Sequence, residues 1–295
     1  MKLSANSNFV AKAFGLPKAV AMMADAGFDA VDYSAFDEEF YSDFHDRSFY
    51  QDARKLAEDR GLYFNQAHAP FPSSYGDDVK DSERFGHIVN SMKIASWLGV
   101  ENIVVHPVQH LDYATRGIPE KLFDMNMAFY KSLIPYCEEY NIRVAVENMW
   151  QYPKTVSHST CSRPEEFFRY MEGLDSLHFV ACLDTGHALL VKEKPDDMVR
   201  ALGKKYLRAL HVQDIDGIHD THTLPYYGIT DWESLLEALA EIDYQGDLTY
   251  EAGNFFAGLP QPLWQDGLKY MVAVGRYMIS RFEAFKAGEN TIPPC

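Results

Sequence analysis

The 295 residues are 47% hydrophobic, enough for a large buried core, yet no run approaches the roughly 18 consecutive apolar residues of a membrane span. A formal net charge of -16 argues against a surface built for nucleic acid, which carries a basic stripe. Cys137, Cys161, Cys182 and Cys295 form no CxxC pair, and the N-terminus MKLSANSNFVAKAFGLP is too polar for a secretory signal. The expectation is a cytoplasmic protein with reduced thiols, Cys182 being a small core residue.

Strand-like and helix-like segments alternate along the chain. A weak first strand near KLSANSNF is followed by short β-branched or apolar runs at FDAVDYSA, LYFNQAHA, ENIVVHPV, RVAVENM, FVACLDTG, LRALHVQD and DLTYEA, which makes eight strands. Between them lie the helical patterns LPKAVAMMADAG, SFYQDARKLAEDRG, SERFGHIVNSMKIASWLG, PEKLFDMNMAFYKSLIPYCEEY, RPEEFFRYMEG, KPDDMVRALGKKY and DWESLLEALAEI. A last helix is expected over Pro262 to Ala287, with a tail from Gly288. Such alternation builds βαβ units and a parallel sheet. Eight repeats predict a (β/α)8 TIM barrel, with residues 1–295 as a single domain. The longest turn-rich stretches, Pro70 to Asp81, Trp150 to Ser162 and Gly217 to Thr230, each follow a strand and are expected over the active face.

Seven metal-competent side chains share one kind of position, the carboxyl end of a strand: His68, His106, Glu147, Asp184, His187, His211 and Glu251. That is the end at which a (β/α)8 barrel assembles its site. Glu147, Asp184, His211 and Glu251 supply three carboxylates and one imidazole from four consecutive strands. A buried ion pair explains any one of them. It does not explain four, because no matching set of lysines or arginines stands ready to neutralise them. Oxygen and imidazole donors without a thiol suit Mn, Mg, Co or Zn as a divalent ion.

VENMW, LDTGHA, HVQDIDG, DTHTLPYYGITDW and YEAG together resemble the xylose isomerase-like superfamily of TIM barrels, from about His68 to Glu251. That superfamily holds tagatose 3-epimerase-like and hydroxypyruvate isomerase-type enzymes, and the three-zinc apurinic endonucleases. The resemblance to the epimerases implies one metal on Glu147, Asp184, His211 and Glu251, with Glu147 and Glu251 also acting as acid and base and His187 touching substrate. It implies a homo-oligomer, dimer or tetramer. The arginine usual six residues after the ligand His is here Gly217. The nuclease side adds counterparts of His68, His106, His187, Asp220 and His222, so all nine ligand types of a trinuclear site are present. Two readings stay open for these five. His68 and His106 either ligate or orient substrate, and Asp220 with His222 forms either a second metal site with His187 or a loop hydrogen-bond pair.

Asp214 is expected to bind a sugar hydroxyl or to hold a ligand His from behind. Trp150, Tyr152, Phe71, Tyr75, Tyr226, Tyr227, Phe255 and Phe256 lie in loops after strands and suit either a sugar face or the cover of a barrel mouth. The remaining histidines, His45, His87, His110, His158, His178 and His219, are expected on the solvated surface.

Two chemistries compete. In one, a carboxylate removes a carbon-bound proton from a ketose, an aldose or a related polyol derivative while a metal stabilises the enediolate. Proton return then gives an isomerase or an epimerase, and a dehydratase or eliminase starts with the same step. In the other, an endonuclease IV-like multinuclear zinc site cuts a phosphodiester. The acidic loops SSYGDD, DEEFYSDFHD and QDIDGIHD repel a phosphate backbone and favour the small-molecule sugar substrate. Only scattered basic residues, Arg116, Lys154 and Arg163, lie in the active-face loops, and no Gly-rich helix entry is present, so an unphosphorylated polyol or sugar acid is preferred.

Overall fold

The ring of the barrel is written in a period-2 alternation that sorts each strand into an inner and an outer face. The computed structural model describes residues 1–34, 46–152 and 155–289. It contains eight parallel strands: β1 Leu3–Asn6, β2 Ala30–Ser34, β3 Tyr63–His68, β4 Asn102–Val105, β5 Arg143–Glu147, β6 Phe179–Asp184, β7 Leu207–His211 and β8 Leu248–Tyr250. Hydrogen-bonded neighbours run β8-β1-β2-β3-β4-β5-β6-β7. A parallel bridge between Val212 and Tyr250, with Val212 N donating to Thr249 O at 2.8 Å, brings β7 against β8 and closes the ring.

Helices between the strands cover the outside: α1 Asn8–Phe14, α2 Leu16–Ala26, α3 Arg47–Asp59, α4 Asp78–Leu98, α5 Ile118–Ser132, α6 Ile134–Tyr140, α7 Pro164–Leu174, α8 Thr185–Leu190, α9 Pro195–Tyr206, α10 Trp232–Glu241 and α11 Trp264–Lys286. No helix among the described residues is long and apolar enough to cross a membrane. The (β/α)8 expectation is met, with local corrections. The fourth of these helices begins at Asp78 rather than Ser82, because the Asp77 carboxylate caps it by accepting from Val79 N and Lys80 N. The single helix expected over 119–140 breaks at Leu133, just before Pro135, which has no N–H to continue the ladder. Trp150 to Ser162 is not only turn: Trp150–Gln151 and Ser157–His158 pair as a short antiparallel hairpin. The short α1 and α8 had no sequence counterpart. The DEEFYSDFHD loop other than Asp46, with His45, Lys154 and Cys295, lies outside the described residues.

The outward residues of the strands, such as Ile103, Val105, Val144, Val146, Ala181, Leu183 and Leu210, join one large apolar cluster under the helices. The inward residues Val104, Ala145, Val180, Cys182 and Ala209 form a separate small plug inside the barrel. Two positions beyond this plug the alternation returns to the inner face. There it delivers His106, Glu147, Asp184 and His211 to the same end. Cys137, Cys161 and Cys182 are buried free thiols.

Candidate metal centre

Glu147, Asp184 and His211 are fully buried and Glu251 is 8% exposed. Each offers one donor atom, and the four atoms lie within 4.8 Å of one another. Two donors on one ion at roughly 2.0 to 2.6 Å can stand no more than about 5 Å apart, so the four side chains fit a single cation. His211 Nδ1 is 2.9 Å from Glu147 Oε1 and 3.3 Å from Glu251 Oε2. Asp184 is the last residue of β6 and caps α8 by accepting from His187 N at 2.7 Å, so one carboxylate both starts the helix and faces the barrel axis.

Two further groups adjoin the first. His68, Glu147 and His211 share a second possible ion position. His106 joins that group, its Nε2 lying 2.7 Å from Glu147 Oε2 and 3.0 Å from His68 Nε2. His187, Asp220 and His222 form the third, with His187 Nε2 3.4 Å and His222 Nε2 3.1 Å from Asp220 Oδ2. The nine residues singled out by the nuclease comparison therefore converge in one region.

Several members of the framework escaped the sequence reading. Gln213 Nε2 donates to Asp184 Oδ2 at 3.0 Å and to Asp220 Oδ1 at 3.1 Å, tying the first group to the third. Gly186 makes room for it, since a Cβ there would lie 2.6 Å from the Gln213 side chain. Asn148 grips the Asp184 backbone from both sides, donating to its carbonyl at 2.9 Å and accepting from its N–H at 2.8 Å. Neutral amides carry no charge signal, but both residues sit beside ligand candidates in VENM and HVQD, and that adjacency could have pointed to them.

The electrostatics show a surplus of negative charge. Histidine is the basic partner of Glu147, Asp184 and Glu251 in every ion pair described for them. Burial acts to raise the Glu147 carboxyl, but the His211 and His106 imidazoles outweigh it and hold the group well below the usual carboxylate range. Burial pushes Asp184 up to about 6 even with His187 close by. His222 rises to about 9: burial opposes its charge, but Asp220 and Glu251 favour it more strongly. Basic imidazoles among carboxylates hold protons that a dication would displace, because ligands must be deprotonated to bind.

A cavity of about 570 Å³ opens above these groups, with His106, His187, Asp220, His222 and Glu251 on its floor and Phe71, Trp150 and Tyr152 along its rim. No lysine or arginine among the described residues lines it. Trp150 Nε1 donates to Asp220 Oδ2 at 3.3 Å. His110, expected on the solvated surface, lines the cavity instead. His68 is buried against His106 and is not among the described residues lining the cavity, and Phe256 is core.

Asp214 stands apart from both roles expected of it. Its carboxylate accepts from Thr230 Oγ1 at 2.7 Å, Thr230 N at 3.1 Å and Trp232 Nε1 at 3.1 Å. Its backbone pairs with Thr223. Asp214 thus folds the loop that carries Asp220 and His222, and it is not among the described residues that line the cavity.

The family model described as xylose isomerase-like TIM barrel matches residues 20–274. The uncharacterized protein y4fM of Sinorhizobium fredii is 26% identical over 164 residues, 55% of this chain and 50% of that one. The uncharacterized protein MJ1311 of Methanocaldococcus jannaschii is 26% identical over 193 residues, 63% and 64% of the two chains. The chain thus spans between half and just under two thirds of the length of these curated relatives.

Among solved structures, a D-tagatose 3-epimerase-like protein superposes with a TM-score of 0.76 at 20% identity, covering 98% of this chain and 99% of its own. A D-psicose 3-epimerase crystallised with D-fructose gives 0.73 at 15% identity, covering 95% and 99%. A 3-keto-D-glucoside 4-epimerase from E. coli gives 0.71 at 16% identity, covering 92% and 99%. At such identities the likeness is one of fold. Together with the family match over most of its length, it shows that the chain belongs to the xylose isomerase-like TIM barrel family.

Proposed function

We propose that this protein is a metal-dependent sugar isomerase or epimerase acting on an unphosphorylated ketose, aldose or related polyol derivative. The observation that carries the proposal is the convergence of Glu147, Asp184, His211 and Glu251 beneath an open cavity. The epimerase names of the structural neighbours support the same reading. A divalent ion held by these four residues would polarise a substrate carbonyl and stabilise an enediolate.

The protein's own groups do the rest. Glu251 reaches the cavity wall and takes a carbon-bound proton with one carboxylate oxygen. Glu147, deeper and kept ionised by His106 and His211, serves as the opposing acid/base partner. His187 and His222 line the cavity, where they would meet substrate hydroxyls, and Trp150 and Tyr152 line it beside them. A cavity with carboxylates and no lysine or arginine among its described lining disfavours a phosphorylated sugar.

The His187, Asp220 and His222 group favours one second reading, a multinuclear phosphodiesterase, because it is separately able to hold an ion. The two readings separate in a single assay. Purified protein loaded with Mn²⁺ is expected to exchange a carbon-bound proton of at least one ketose with D₂O, as followed by proton NMR. It is expected to leave abasic-site DNA intact. Cleavage of that DNA with no exchange in any ketose would reverse the assignment.

A further inference from the structure

Asp32 has no part in the site described above, yet its position is costly. It lies in the middle of β2 and is 0% exposed. The parallel register between β2 and β3 slips between Val31 and Asp32, so that Asp32 pairs with Gln66 and Asn65 is passed over. Irregularities of this kind re-aim a side chain next to a site. Asp32 Oδ2 accepts from Gln66 Nε2 at 3.3 Å, while Oδ1 has no hydrogen-bond partner among the described residues. A buried carboxylate oxygen without a donor is expensive and calls for an explanation.

The facing strand brings an imidazole N–H toward the same carboxylate, on its other oxygen. His211 Nε2 is also fully buried, without a hydrogen bond among the described residues, and it lies 4.0 Å from Asp32 Oδ2. The same ring turns Nδ1 to Glu147 and Glu251, so Nδ1 is the nitrogen a cation would take. Nε2 must then carry the ring proton. The His68 ring stacks against His211 at 5.4 Å and 16°, which restricts its rotation. The Cys182 thiol also contacts the ring, but a thiol accepts weakly.

We propose that Asp32 is a positioning residue that accepts the Nε2–H of His211 when Nδ1 is engaged by a divalent cation, fixing the ring and strengthening it as a ligand. The proposal rests on the metal site argued above. Histidine ligands commonly donate their second N–H to a carboxylate, and loss of that partner weakens metal binding about 10- to 100-fold. The backbone carbonyl of Asp32 separately accepts from Ser7 N at 2.9 Å and Ser7 Oγ at 2.8 Å, a tie that Asp32→Asn leaves in place.

The test is calorimetric titration of Mn²⁺ into the full chain and into Asp32→Asn, with the visible absorption of the Co²⁺-loaded forms recorded alongside. Expected are a Kd raised about 10- to 100-fold in the variant and a changed Co²⁺ spectrum. Parental affinity with an unchanged spectrum would overturn the proposal while leaving the metal site standing. Failure of the parent to bind Mn²⁺ would overturn both. Nitrogen-15 NMR of Zn²⁺-loaded parent protein makes the test independent of the variant's folding. His211 should be protonated on Nε2, and a ring protonated on Nδ1 would refute the assignment.

Discussion

Glu251→Gln is expected to abolish substrate proton exchange while the barrel remains folded. The amide keeps the size of the side chain and one ligand oxygen but cannot accept a proton at neutral pH. Loss of a general base costs on the order of 10²- to 10⁴-fold. Glu251 lines the cavity and its Oε2 lies 3.3 Å from His211 Nδ1, so weakened metal binding would add to the loss. Measuring deuterium incorporation into ketose at saturating Mn²⁺ separates the two effects. A metal-replete variant that exchanges at the parental rate would show that Glu251 is a ligand only, and the base would then be Glu147.

Asp184→Asn should have the second-largest effect, and it acts on the cation rather than on the proton. It removes one of three carboxylates from the four-residue group. The loss in Mn²⁺ affinity should exceed the roughly 10- to 100-fold typical of an outer partner. A ligand that binds only the native state stabilises it by about 2.7 kcal/mol at a hundredfold excess over Kd. Mn²⁺ should therefore raise the melting temperature of the parent and leave that of the variant nearly unchanged.

The metal-free variant should fold. Asn can still accept from His187 N, and the substitution removes a carboxyl that burial has pushed from 3.8 up to about 6. The sign follows from that rise: charging Asp184 in the folded protein opposes stability above pH 6, and the cost disappears as the pH falls below 4. An equal melting rise in parent and variant would remove Asp184 from the site.

Much of this was legible in the residues. Val104, Ala145, Cys182 and Ala209 alternate with outward residues, and the next inward positions are His106, Glu147, Asp184 and His211. A period of two therefore carries both the barrel and the convergence. Asp32 obeys the same alternation in FDAVDYSA, but it sits in mid-strand, where nothing marks it as close to His211 without the register slip against β3. Asp214 was misplaced because its partners, Thr230 and Trp232, are brought back by a loop fold that no local pattern encodes. His110 reached the cavity for a similar reason, its ring held by Ser74 from another loop at 2.8 Å. Helix ends shifted where one capping side chain decided the matter, as at Asp77.

Anomalous diffraction from crystals soaked in Mn²⁺ reads directly whether Glu147, Asp184, His211 and Glu251 hold one cation jointly. A peak is expected within roughly 2.0 to 2.6 Å of a donor atom from each of the four. A peak on His187, Asp220 and His222 in addition would give the site a second metal. Density for Mn²⁺ elsewhere, with these four side chains still paired only to each other, would contradict a jointly held cation.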